Sequence, residues 1–526
     1  MIHVSTKRKL LAVPAIPAVL QQFPGAQVVP FEGQSALIPH ELKSVRLLRA
    51  MGFQVPAPVL TQYAWPHPPG QPPFEAQRKT VAMLTTEPRG YVLNDKGTGK
   101  TRCALWAFDY LRSVGLARKM LVIAPLSTLH FTWARDAFKL MPHLSATVLH
   151  GSKDKRLKRL AEEHDIYIIN PDGIEVILGE LQKRPDIDVV VIDELTAFRN
   201  FGSEKNKALR ALIGNGTPNA RAWAWGMTGS PTPESPTDAY GQCMVLTPNS
   251  MPRRFSHFRE ATMTKVSQFK YAPRPDAKDT VLRVMQPAVR FTLDDVTELP
   301  DVVMQDVQID MGPKQTEVYE ALRKEAYAQV DSGEITAVNA GAMLNKMLQV
   351  STGYIYAMKP GATERHIVSL DNHARLDRLE QDVNECSQKC IVFAPFIHTL
   401  AGISERLTKA KIEHAVVSGD TPSKERDQVF NLFQNTDKYK VIVAHPQCMS
   451  HGITLTRADT IIWFGPLASL ETFEQANARI RRVGQKHRQL VLMYQSTKAE
   501  KTIYTKLKSK QKMQDSVLAL FASNQL

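Results

Sequence analysis

A chain of 526 residues is too long for one hydrophobic core and implies about three domains. Lysine and arginine total 66 against 52 acidic residues, and the resulting charge of +14 fits a polyanionic partner such as nucleic acid. Five scattered cysteines (Cys103, Cys243, Cys386, Cys390, Cys448) exclude a disulfide framework or a paired zinc module, and no run of about 18 apolar residues or signal-peptide pattern is present, so a reducing cytoplasm is expected and a membrane is not.

Residues 1–73 alternate short apolar runs, such as Ile2-His3-Val4 and Val28-Val29-Pro30. A helix is expected over residues 40–51, where Leu42, Val45, Leu47 and Leu48 are roughly helically spaced. This predicts a small α+β module, which is also the expected docking point for any protein partner of an otherwise monomeric chain. It closes in the connector Tyr63–Pro73, whose prolines lack N–H donors and fix φ, so that regular helix is forbidden.

From Phe74 the pattern changes to short apolar strands separated by longer amphipathic segments. Strands are expected at 91–93, 120–124, 166–169, 189–192 and 223–227, and near-continuous apolar runs of this kind suit a parallel sheet covered on both faces. A first α/β domain is therefore placed at 74–240. Residues 241–370 break the rhythm: Arg253, Arg254, Lys265, Lys270 and Arg274 lie among prolines, helices are expected at 316–330 and 338–350, and no full sheet is foreseen. A second alternating series at 390–394, 414–417, 441–444, 460–464 and 490–494 predicts a second α/β domain over 371–526.

The stretch Tyr91–Arg102 reads YVLNDKGTGKTR. Gly97 and Gly99 let backbone N–H groups around Thr98 close on an anion, the helix expected from Lys100 points its positive end there, Lys100 adds a charge, and Thr101 a hydroxyl for Mg2+. The plainer alternative is a glycine turn ahead of a helix, since Asn94 stands where the full phosphate-loop pattern has glycine. The apolar run Val189–Ile192 ends in Asp193-Glu194. In a phosphate-loop ATPase an acid at a strand's carboxyl end holds Mg2+, and a neighbouring glutamate accepts a proton from the attacking water, although acidic pairs also follow strands without catalysis.

Further short motifs stand in order around these. Phe74-Glu-Ala-Gln77 precedes the loop; Leu121-Val-Ile-Ala-Pro-Leu-Ser-Thr-Leu129 with Trp133 follows it; Asp193-Glu-Leu-Thr-Ala-Phe-Arg-Asn200 and Met227-Thr-Gly-Ser-Pro231 come next. Arg290 to Pro300 ends in Glu-Leu-Pro, and then come Ile391-Val-Phe393, His451-Gly-Ile-Thr-Leu-Thr-Arg-Ala458 and Gln475-Ala-Asn-Ala-Arg-Ile-Arg-Arg-Val-Gly-Gln485. Together, over about residues 74 to 500, these resemble the motifs of the SNF2 group of superfamily 2 helicase-type ATPases. The resemblance implies two RecA-like parallel-sheet lobes in tandem, with helical insertions between them, and a DNA-dependent ATPase that uses ATP and Mg2+.

It also implies roles. Gln77 would read adenine, with Gly97, Thr98, Gly99, Lys100, Thr101 and Gly452 at the nucleotide; Thr101 and Asp193 would hold the metal; Glu194 would activate water. Arg479 and Arg482 would be arginine fingers supplied by the second lobe, and their i, i+3 spacing places them on a shared helical face, where the alternative is a basic surface toward solvent or DNA. Candidate DNA contacts are Thr128, Asn170, Arg199 and Thr454, each equally readable as a local cap, and Lys346, for which a solvated helix face is the plainer reading. Trp133 reads as packing rather than base stacking.

Three departures stand out. Asn94 and Asp95 replace Asp and Glu in the family's DEMGLGKT, Ala478 replaces a glycine, and Thr196 replaces the DEAH histidine that links ATP site to DNA. None removes a phosphate, metal or water-activating group. The expected function is a translocase on double-stranded DNA, in repair, recombination or replication in a bacterial cell or a virus-infected host. The alternatives are a strand-separating or fork-regressing helicase on branched DNA and, third, a non-catalytic DNA-binding scaffold.

Overall fold

The computed structural model describes residues 2–267, 271–296, 299–331, 337–358, 365–449, 454–467, 469–482, 484–505 and 507–508. The chain divides into two compact units, one within Met1–Val296 and the other within Thr297–Asp515.

The first unit is built on a seven-stranded sheet, parallel throughout. Its order is Ala288–Val289, Arg89–Val92, Trp223–Met227, Ile187–Asp193, Lys119–Ile123, Ile166–Ile169 and Ala146–Leu149. Because side chains alternate along a strand, neighbouring valines go to opposite faces. Val190 and Ile192 enter one core with Ile174 and Leu181 of helix Pro171–Gln182 and Leu209 of helix Glu204–Ile213. Val189 and Val191 enter the other with Leu105, Trp106 and Phe108 of helix Lys100–Ser113. An uninterrupted apolar run is what such a doubly covered strand requires.

The same unit carries a four-stranded antiparallel sheet, ordered His3–Ser5, Leu10–Pro14, Gln34–Pro39, Gln27–Pro30. Helix Leu42–Ala50 packs on it through Val45 and Leu48, closing a small core with Leu11, Val13, Ala36 and Ile38. The chain leaving this core does not hang free. Leu42, Ala57, Val59 and Trp65 are buried in the larger core beside Trp106.

The second unit holds a six-stranded parallel sheet ordered Val302–Gln308, Gln489–Gln495, Ala458–Trp463, Lys389–Phe393, Val441–Ala444, His414–Val417. Its faces again alternate: Ile391 and Phe393 meet Phe430 and Phe433, while Cys390 and Val392 meet Leu379, Leu400 and Ile403. Helices Pro313–Asp331 and Ala337–Ser351 and the hairpin of Tyr354–Met358 with Arg365–Ser369 precede most of that sheet. The fold class is thus α/β with two parallel sheets, as the sequence predicts. Among the described residues, no helix is long and apolar enough to cross a membrane.

Candidate nucleotide site

Strand Arg89–Val92 feeds the glycine loop, and helix Lys100–Ser113 leaves it. Gly97 (φ 88°) and Gly99 (φ 84°) both adopt the left-handed backbone that side-chain-bearing residues resist. Gly99 caps the helix, whose first-turn N–H groups have no partners within the helix and are free to bind an anion at this point. The Lys100 ammonium donates to the carbonyls of Asn94 (2.9 Å) and Asp95 (3.0 Å). Burial lowers its proton affinity, opposed by the carboxylates of Glu194, Asp193 and Asp95. Thr98 donates its hydroxyl to the Asp95 carbonyl (2.9 Å), and half-buried Thr101 follows Lys100 on the first turn.

Gln77 lies against this loop. It is the third residue of helix Glu75–Thr86; its Oε1 accepts the Phe74 N–H (3.0 Å) and its Nε2 donates to the Thr98 carbonyl (2.9 Å). A Cβ on Gly99 would sit 2.3 Å from that Nε2, so the second glycine is needed for close approach as well as for its backbone angle.

Asn94 and Asp95 each have a structural job. Their segment runs beside residues 287–293: the N–H groups of Tyr91, Leu93 and Asp95 donate to the carbonyls of Pro287, Val289 and Phe291, all at 2.9 Å. Asn94 Oδ1 accepts the Phe291 N–H (2.9 Å) while its Nδ2 donates to Thr80 (3.0 Å). Asp95 pairs with the buried guanidinium of Arg290 and accepts the Leu293 N–H (3.1 Å). The loop's lead is therefore strapped to the start of the Arg290–Pro300 stretch.

Strand Ile187–Asp193 delivers the acids to the same carboxyl edge of the sheet, with strand Trp223–Met227 between it and the loop strand. Carboxyl edges of parallel sheets are where such folds bind ligands. Thr228-Gly229 follows the intervening strand, and a Cβ on Gly229 would stand 3.4 Å from Lys96 Cγ, so this turn packs on the phosphate loop. Glu194 is held at φ 55°, ψ 60°, a left-handed conformation that costs a side-chain-bearing residue of order 1 kcal/mol and concentrates at functional sites. Asp193 Oδ2 accepts the indole N–H of Trp133 (2.8 Å). Burial and the neighbouring Glu194 charge push the Asp193 carboxyl up, to about 6, against the pull of Trp133 and Lys100. The sequence had marked Trp133 only as packing; the residue is fully buried, and its polar end lies on the acid.

The donor set fits Mg2+. Thr101 and Asp193 offer oxygen only, and a hard cation that keeps its waters needs just one or two protein oxygens beside phosphates. Among the described residues, no cluster of three or more His, Cys, Asp or Glu forms a metal cage independent of nucleotide.

The remaining candidates are dispersed. Helix Leu470–Asn477 ends before the arginine pair, so Arg479 lies in a turn and Arg482 in a bend instead of on one helical face. The chain folds back there because Gln485 donates to the carbonyls of Ala458 (2.8 Å) and Ile480 (3.1 Å). Buried Arg479 donates Nε to the Gln475 carbonyl (2.8 Å); half-buried Arg482 donates to Ala478 O (3.2 Å) and to the Thr454 hydroxyl (3.1 Å). Gly452 lies outside the described residues. Thr128 is buried with its hydroxyl on the Pro125 carbonyl (2.9 Å), and buried Asn170 accepts from Arg156 (3.1 Å). Arg199 is half-buried and pairs with Glu234 (3.1 Å), while Lys346 and Thr454 are exposed.

A family model described as an SNF2-related domain matches residues 74–353, and one described as a helicase conserved C-terminal domain matches residues 374–484. The chain is similar to putative protein p41 of Acyrthosiphon pisum secondary endosymbiont phage 1, 24% identical over 429 residues, covering 78% of this chain and 88% of that one. The ISWI chromatin-remodeling complex ATPase ISW1 of Saccharomyces cerevisiae is 24% identical over 430 residues, covering 77% of this chain and 36% of its own. An uncharacterized ATP-dependent helicase of Mycoplasma genitalium is 22% identical over 426 residues, with 77% and 38% covered. The chain thus spans most of the phage relative but well under half of the other two.

Proposed function

Because the chain belongs to the SNF2-related family of helicase-type ATPases, we propose that it is a motor that couples ATP hydrolysis to movement along double-stranded DNA, serving repair, recombination or replication. The observation that carries this reading is the convergence of a glycine loop, Lys100, Thr101 and the Asp193-Glu194 pair on one carboxyl edge of the first parallel sheet. That edge offers what phosphoryl transfer to water requires, namely positioning of phosphates, a metal carboxylate and a carboxylate for the attacking water.

In this reading Gln77 reads adenine with the amide hydrogen and carbonyl lone pair left after its bonds to Thr98 and Phe74. The loop amides and Lys100 bind phosphate, and binding draws the ammonium away from the carbonyls of Asn94 and Asp95. Thr101 and Asp193 hold Mg2+, which supplies charge neutralisation at the phosphates. Glu194, fixed by its unusual backbone, orients and deprotonates water. Arg479 and Arg482 stabilise charge developing on the transferred phosphoryl group, a contribution of roughly 10³–10⁵ in rate for arginine fingers. Contacts to DNA run mainly to its phosphates, for which a charge of +14 is suited.

Steady-state ATPase rates with no polynucleotide, single-stranded, double-stranded and branched DNA, and RNA, at two salt concentrations, test the proposal. Stimulation by double-stranded DNA that weakens with salt is expected. Equal rates in every condition would remove the motor reading, stimulation by RNA alone would reassign the substrate, and a marked preference for branched DNA would favour a fork-regressing enzyme.

A further inference from the structure

We infer that Trp133 is a positioning residue for the metal carboxylate, its indole N–H fixing the orientation in which Asp193 receives Mg2+. The inference rests on the reading of Asp193 as the magnesium residue. Three observations carry it. The indole is fully buried and its Nε1 lies 2.8 Å from Asp193 Oδ2. The other indoles with bonded N–H groups serve neutral acceptors: Trp106 the Pro66 carbonyl, Trp223 that of Leu116, Trp225 that of Glu87, and Trp463 the Asn477 amide. Trp133 alone among these meets an ionisable group.

The backbone beneath it is also unusual. Residues Leu129–Ala134 form a π-helical turn between the 3-10 turn Leu126–Thr128 and helix Arg135–Leu140. Single π turns inside helices are uncommon and cluster at functional sites, because the wider turn re-aims a side chain that α geometry would send elsewhere. Packing alone would not need this, since a buried indole can find a backbone carbonyl, as Trp106, Trp223 and Trp225 show.

Fixing Oδ2 has a chemical consequence. A carboxylate at the end of a strand can rotate about its last bond, and a metal that binds through one carboxylate oxygen loses affinity for each orientation it must select against. A donor on Oδ2 holds the carboxylate plane and presents Oδ1. Partners of this kind, one bond removed from a metal, are typically worth 10- to 100-fold in metal affinity.

The test uses the full chain with a non-hydrolysable ATP analogue and Mg2+, comparing wild type, Trp133→Phe, Asp193→Asn and, as a control for loss of another buried indole N–H, Trp225→Phe. Trp133→Phe should raise the half-saturating Mg2+ concentration for analogue binding by about 10-fold or more, with little change in analogue affinity without Mg2+. Trp225→Phe should leave both where they were. Independently, 5-fluorotryptophan placed at position 133 of the otherwise unaltered chain should show a 19F resonance that moves when Mg2+ joins the nucleotide, and that movement should vanish in Asp193→Asn. A folded Trp133→Phe protein with wild-type Mg2+ dependence overturns the inference. So does a 19F resonance indifferent to Mg2+, which decides the matter even where Trp133→Phe does not fold. Unchanged Mg2+ dependence in Asp193→Asn is a different failure: it removes the magnesium reading of that aspartate, and this inference with it.

Discussion

Asp95 meets a charge that arrives from 195 residues further along the chain. The Arg290 guanidinium is almost wholly buried, whereas the Asp95 side chain is about a third exposed, so the pair is asymmetric: water can partly replace the arginine for the aspartate, but not the reverse. A buried cation stripped of its partner keeps its desolvation cost, which is why breaking such pairs destabilises more than forming them stabilises. Asp95 also holds the Leu293 N–H, and Asn94 the Phe291 N–H, so one short segment depends on two adjacent side chains. Asp95→Ala is therefore expected to cost about 2 kcal/mol locally, a figure reduced for the exposed side of the pair. Hydrogen exchange reads it at the place concerned: the amides of 93–95 and 291–293 should exchange roughly 30-fold faster, with those of strand Ile187–Asp193 unaffected. Unchanged exchange at 291–293 would mean that the ladder of main-chain bonds suffices without the side chains.

At the scale of elements, what the sequence disclosed follows burial. Strands such as Val189–Ile192 and Val441–Ala444 are enclosed on both faces and read as unbroken apolar runs. Three of the four edge strands of the two parallel sheets escape the same reading, His414–Val417 being the exception. Val302–Gln308 pairs in register with Gln489–Gln495 over its whole length, yet Met304, Gln305 and Asp306 are exposed and break any alternation; Ala288–Val289 is only two residues long. The loop and the acid pair were legible because their groups are contiguous, while the Trp133–Asp193 bond joins residues 60 apart that no local spacing relates. The helical face expected for Arg479 and Arg482 failed because a distant carbonyl, that of Ala458, captures Gln485 and turns the chain. His398 is a second case of chemistry hidden in packing. It lies at the start of helix Ile397–Lys409, stacked on Phe396 with Tyr356 edge-on, and neither ring nitrogen has a hydrogen-bond partner. Burial pulls its pKa down from 6.5 to about 4. Between those values the unfolded chain binds the proton and the folded chain does not, so the stability is complete above pH 6.5 and falls as the pH drops toward 4. From pH 7 to 5 the loss amounts to about 2 kcal/mol. Denaturant midpoints at the two pH values should show this loss in the wild type and lack it in His398→Phe; equal acid sensitivity in both proteins would place its origin elsewhere.

For the whole molecule, the boundary that matters physically differs from the one at which family resemblance begins. The SNF2-related match starts at residue 74, which invites a truncation there. Yet the segment before it completes the first unit's core: Leu42, Ala57, Val59 and Trp65 are buried with Trp106, and the Trp106 indole N–H donates to the Pro66 carbonyl (2.7 Å). Tyr63 donates to Asp109 (2.6 Å) on the same helix, and Arg46 reaches the Thr86 carbonyl (2.6 Å) with its guanidinium over Trp223. Leu42, Val59 and Trp65 at about 1.5–3 kcal/mol each, with the Ala57 methyl adding about 0.8 kcal/mol, amount to roughly 5–10 kcal/mol, as large as the whole net stability of a typical domain. Residues 74–526 alone should accordingly be poorly soluble or lack a cooperative unfolding transition for the first unit, with Trp106 fluorescence shifted toward that of a hydrated indole. A chain beginning at residue 54, which keeps Ala57, Val59, Trp65 and Pro66 but loses Leu42 and Arg46, should recover a cooperative transition at a lower midpoint than the full chain. The comparison separates two roles for the N-terminal residues. If 74–526 unfolds cooperatively at the full chain's midpoint, the segment is a separable attachment and its packing is incidental; a graded recovery from 74 to 54 to 1 makes it part of the motor's own core, fastened directly to the helix that begins at the phosphate loop.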